Sequence, residues 1–188
     1  MTVRAIRQFA VDYISLEDRI LLRLRMDPND EVYRLLMTRR FLGLFWGALT
    51  GQLHKSLVDT KSSVARDFLL EMAEQRHTAN ANFSSPFEDP AAAQAAAAAS
   101  AAGAVGAIPE AHLLWAFNIL RNADASTALT LTCWDRLQLT INLADDGLFG
   151  LMKLLRDCAR VAEWEIPMEW GLNVPGADHP SGEPRRLN

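Results

Sequence analysis

Along Glu31–Met37 the residues Tyr33, Leu35 and Met37 alternate with Val32, Arg34 and Leu36. A period of two marks a strand with one face on a core. Thr38 ends the alternation, and from Phe41 the apolar positions take helical spacing: Phe41, Leu42, Phe45, Leu49, Leu53 and Leu57. The pattern predicts a helix with Thr38 as its N-cap. Ahead of it Arg19–Met26 also alternates, and Asp27-Pro28-Asn29-Asp30 has the composition of a turn. A hairpin closed there sets Leu24 opposite Tyr33, Leu22 opposite Leu35 and Ile20 opposite Met37. A slip of one residue would turn that whole set into water, so the register is specified.

The order of elements recurs about a hundred residues later. Leu129, Leu131 and Cys133 alternate with threonines; Leu137, Leu139, Ile141 and Leu143 alternate with Gln138, Thr140 and Asn142; Leu148, Leu151, Met152 and Leu155 then take helical spacing. Candidate strands at Ile6–Ile14 and at 112–120 precede the two hairpins. The expected fold is α+β: two βββα units in tandem, antiparallel sheets backed by helices, the first helix long. That helix continues through Val64, Phe68 and Met72 to about Gln75, with Lys61, Arg66, Asp67, Glu71 and Glu74 as its solvated side. At about 50 Å it outruns the strands; a kink at Val58 to Ser63 is the other reading of the spacing. The chain divides into a first unit over 1–79, an Ala/Pro/Gly-rich linker over 80–109, a second unit over 110–166, and a tail over 167–188 rich in proline and glycine, expected to be flexible.

With 188 residues and a net charge of −4, the chain can bury a core and lacks the basic excess of a non-specific nucleic-acid binder. Cys133 and Cys158 read as small buried hydrophobes of a reducing compartment. No apolar run is long enough for a membrane span, and the N-terminus lacks the apolar core of a signal peptide. The expected location is cytoplasmic.

Convergent chemistry is not legible. His54, His77, His112 and His179 stand in no metal-ligand spacing, and no phosphate loop or nucleophile motif occurs. No catalytic residue, metal or cofactor is expected, although a site assembled from residues distant in sequence stays open. Asp145 and Asp146 suit a helix N-terminus. Gly43, Gly47 and Gly51, four apart beside Trp46, form a stripe on the first helix; each costs about 1 kcal/mol relative to alanine, which points to close packing of another helix or strand, a stripe against the sheet or facing water being the other reading. On the outer face of the first hairpin Arg23 stands opposite Arg34, Arg25 opposite Val32 and Leu21 opposite Leu36. Opposed like charges require a counter-charge. Glu17, Asp18 and Glu31 are local sources, and an acidic or phosphate-bearing partner is the other. The expected partner-binding set is therefore Leu21, Arg23, Arg25, Val32, Arg34 and Leu36, with the distal part of the long first helix and Trp170 of the tail as further contact surfaces.

Glu17-Asp18-Arg19-Ile20-Leu21-Leu22-Arg23 and Tyr33-Arg34-Leu35-Leu36-Met37-Thr38-Arg39-Arg40 resemble stretches of small uncharacterised bacterial proteins, a likeness that covers about the first quarter and implies no activity. The doubled strand-rich unit ending in a helix is similar in architecture to Whirly and PUR-type single-strand nucleic-acid binders, which use four strands per unit where three are counted here. The expected function is a non-catalytic interaction or assembly subunit whose partner is a protein, either a second copy of the chain or another. Binding of single-stranded nucleic acid across the arginine-bearing face is the competing expectation, and an enzyme the third.

Overall fold

A computed structural model describes residues 6–57, 62–79, 81, 83, 85–90, 93 and 110–168. Its strands are β1 (Ile6–Ile14), β2 (Arg19–Met26), β3 (Glu31–Met37), β4 (His112–Arg121), β5 (Thr127–Cys133) and β6 (Gln138–Leu143). Its helices are α1 (Arg39–Ser56), α2 (Ser63–Thr78) and α3 (Asp145–Val161). The protein is an α+β fold in which helices pack on one six-stranded mixed sheet of order β1-β2-β3-β4-β5-β6.

The first hairpin closes in the expected register, with Leu24 opposite Tyr33, Leu22 opposite Leu35, and Ile20 opposite Met37. In the second, Leu129 faces Ile141 and Leu131 faces Leu139. The two separate antiparallel sheets that the strand pattern suggested are joined into one. Leu35 and Leu36 of β3 pair in parallel with His112 and Leu113 of β4. That short seam satisfies strand edges that two three-stranded sheets would each have left open.

Each terminal helix leans on the opposite half of the sheet. Phe41 and Phe45 of α1 meet Phe117 of β4 edge-on, with ring centroids 5.5 and 5.2 Å apart. The helix α3 packs against both β1 and β6. Gly150 of α3 lies on this contact, where a Cβ would sit 3.5 Å from the ring of Phe9, an ordinary van der Waals distance. The core joins Ile20, Leu22, Leu24, Leu35 and Met37 to Leu129, Leu131 and Ile141 beneath Leu42, Phe45, Leu148 and Leu155. Each such side chain gains about 1.5–3 kcal/mol on leaving water.

The single long first helix is two. Thr38 caps α1, its hydroxyl accepting from the Phe41 amide at 3.1 Å. The helix ends after 18 residues, where the Leu57 amide closes on the His54 carbonyl at 3.2 Å. Ser62 restarts helical structure by accepting from the Ala65 amide at 3.4 Å. Serine here acts as a cap instead of continuing the helix, because its hydroxyl competes for backbone donors. The intervening residues 58–61, which hold most of the stretch where a kink is the alternative reading, lie outside the described residues. Past α3, the Trp164 indole N–H donates to Asp18 Oδ1 at 2.7 Å, and Ile166 lies 3.8 Å from the Cβ position of Gly43.

Candidate interaction surfaces

The outer face of the first three strands carries the opposed arginines, Arg23 facing Arg34. The counter-charge comes from this chain. Asp12 Oδ2 accepts from Arg23 Nε and Nη2 at 3.0 and 2.6 Å. Arg25 donates to Asp30 at 3.1 Å and also to Glu88, while Arg34 grips both carboxylate oxygens of Asp89. Glu88 and Asp89 belong to a strap, residues 85–90, that lies over this face. The strap is held by the Gln8 amide donating to the Pro86 carbonyl at 2.9 Å and by the Glu88 amide donating to Gln8 Oε1 at 3.2 Å. The Arg23 guanidinium sits 4.6 Å from the centroid of the Phe87 ring. The hydrogen bond from Arg25 is the main cause holding the Asp30 carboxyl below the usual aspartate range, and the bonds to Asp30 and then Glu88 raise the Arg25 guanidinium.

The proposed contact set is therefore not an open patch. Arg25 and Arg34 are buried; Leu21, Arg23, Val32 and Leu36 are half-buried. The nearer acids serve elsewhere. Asp18 binds Tyr13 and Trp164, Glu31 accepts from the Tyr33 hydroxyl at 2.5 Å, and Glu17 lies 3.9 Å from Arg19. The signal for the strap was present as Phe87-Glu88-Asp89 inside a stretch read as linker.

The helix α2 turns part of its expected solvated side inward. Its Asp67 lies 3.3 Å from His54 of α1, its Glu74 binds Arg156 of α3, and its His77 lies 2.5 Å from Asp146. His77 also stacks on Phe149 at 5.2 Å. Leu70 is buried between these groups. Asp67 and Glu74 of the supposed solvated side thus face the body, where they meet buried His54 and half-buried Arg156, while Glu71 stays exposed. The apolar stripe faces out: Val64 is 75% exposed, Phe68 is 60% exposed, and Leu69 and Met72 are exposed beside them.

Two tryptophans form a further surface that the strand pattern did not single out. Trp115 stands at an irregularity in the β4–β5 pairing, between Leu114 and Ala116. Trp134 begins the β5–β6 turn. They are 66% and 67% exposed, with rings 4.9 Å apart at 75°. The available signal was a tryptophan placed in a turn, where a core cannot reach it. The His112–Asp135 contact at 2.5 Å and the Trp134 amide donating to the Leu113 carbonyl at 2.8 Å fix the turn. The hydrogen bond to His112 is the main cause lowering the Asp135 pKa.

Of the glycine stripe, only Gly43 meets a described neighbour, Ile166; a Cβ at Gly47 or Gly51 meets nothing within 4 Å. Trp46 is buried on another side of α1, with Arg156 5.9 Å from its ring centroid. Trp170 and the alanine run over 91–108 lie outside the described residues, Ala93 excepted. A cleft of about 1020 Å³ opens between β1 and the strap on one side and the β6–α3 junction on the other. Among the described residues, no three His, Cys, Asp or Glu side chains converge as metal ligands, and no helix is long and apolar enough to cross a membrane. Burial pushes the Cys133 and Cys158 thiols up to about 11, away from the range of a reactive thiolate. No family model, curated protein or solved structure matches the chain.

Proposed function

We propose that the protein is a non-catalytic assembly module of the bacterial cytoplasm that joins a protein partner, in the simplest case a second copy of itself, through α2. One observation carries the reading: α2 is attached by its polar side and presents Val64, Phe68, Leu69 and Met72 to solvent. An apolar stripe at helical spacing on an outward face is the form of a helix that completes its packing in another chain. We also read the two βββα halves as copies of one unit, the second diverged in what its outer face presents. Nucleic-acid binding across the first sheet face drew on Arg23, Arg25 and Arg34, and their engagement with Asp12, Asp30, Glu88 and Asp89 gives that reading no support.

The test is the mass of the full chain by sedimentation equilibrium, with a photoreactive residue at position 68 in a parallel experiment. The expected result is a dimer mass that falls to the monomer in Phe68→Glu at unchanged circular dichroism. A monomeric chain that also yields no discrete protein adduct from position 68 would overturn the reading.

A further inference from the structure

Trp115 and Trp134 border a notch of about 380 Å³ lined also by Thr132, Cys133, Arg136 and Gln138. The notch is built ahead of any ligand. The Arg136 amide donates to the Cys133 carbonyl at 3.1 Å, the Leu137 amide donates to Asp135 Oδ1 at 3.2 Å, and Arg136 is held at φ 71. A left-handed arginine is strained, so the surrounding bonds over-determine this turn. The Arg136 side chain has no ion-pair partner among the described residues. Two exposed indoles flanked by a cation and an amide suit an extended proline-containing segment that carries an acid, since aromatic grooves recognise the preformed polyproline conformation.

Such a segment lies in this chain. After Met168 come Pro175, Pro180 and Pro184, with Asp178 and Glu183 between them. The departure point is close enough. Trp164 is bonded to Asp18 in the β1–β2 turn, at the same end of the sheet as the Leu36–Leu113 pair and the Trp134 amide bound to Leu113. From β2 to β5 is three strand spacings, about 15 Å, and the eleven residues from Trp164 to Pro175 span at most about 36 Å when extended. We propose that residues 173–184 dock in cis on the Trp115–Trp134 notch, with prolines against the indoles and Asp178 or Glu183 on Arg136. The proposal does not depend on α2.

The test places a nitroxide on Ser181→Cys in the full chain and reads the tryptophan indole N–H resonances. Cys133 and Cys158 are buried, with thiols pushed up to about 11, so labelling falls on position 181. Docking predicts several-fold loss of the Trp115 and Trp134 signals while that of Trp46, buried in the helix layer, persists. Arg136→Glu should restore both signals. Equal broadening of all indoles, or none, overturns the proposal. Broadening that appears when a labelled chain is mixed with an isotopically enriched unlabelled one means docking between copies, and overturns docking in cis.

Discussion

The outer faces of β1–β3 and β4–β6 sit on the same backbone plan and are dressed in opposite ways. On the first, Arg23 faces Arg34 and both lie beneath or beside a strap that brings Glu88 and Asp89. On the second, Asn118, Thr130 and Thr140 line up across three strands, the last two with hydroxyls 3.2 Å apart. Opposed cations oblige the chain to supply counter-charge and cover. Neutral hydroxyls and amides are satisfied by each other or by water, so the second face needs no strap. The face whose sequence looked most like a binding surface is the one the protein occupies itself.

The largest expected effect is on the buried pair. Arg34 is 8% exposed, and Arg34→Ala leaves the Asp89 carboxylate without that partner. The expected loss is about 3–5 kcal/mol in chemical denaturation, with much of it recovered in Arg34→Met/Asp89→Leu. A loss below about 1 kcal/mol would mean that the strap is not part of the first half's stability. Phe87→Ala should cost about 1–2 kcal/mol through the lost contact with Arg23, and should speed amide exchange in β1 and β2 while leaving β5 unchanged.

Acid should act on the same side. Because Asp30 titrates below its usual range in the folded chain, its contribution is complete above the unfolded value of about 3.9. It is lost as pH falls through the lowered folded value. Asp30→Asn is expected to flatten the acid limb of the stability–pH curve; an unchanged limb would remove the Arg25–Asp30 link from the account. The strand positions Asn118, Thr130, Thr132, Gln138, Thr140 and Asn142 hold no titratable group, so exchange at Thr130 should not follow this limb. The smallest effect belongs to Thr130→Ala, within about 0.5 kcal/mol; a larger loss would show that the second face is structurally committed after all.

What is legible in the sequence follows from periodicity. The pairing of Leu24 with Tyr33 and Leu22 with Leu35, the Thr38 cap and the inward faces of β5 and β6 were readable because each is dictated within a few residues by the chain's own alternation. The glycine stripe was readable as a stripe, yet its spacing carries no information about what lies above it, and a Cβ at Gly47 or Gly51 meets nothing within 4 Å.

The sequence by itself determined the strands, the register of the first hairpin and the starts of α1 and α3, since those depend on local geometry and on one buried face. Only the tertiary structure decided which side of α2 looks inward. Val64, Phe68 and Met72 keep the same spacing either way, and the choice is made by Arg156 on α3 and His54 on α1, which need Glu74 and Asp67 against them. It also decided that Glu88 and Asp89, more than fifty residues downstream of Arg25 and Arg34, answer those charges. Coulomb attraction acts through space, and no pattern along the chain encodes which distant acid the fold will bring near.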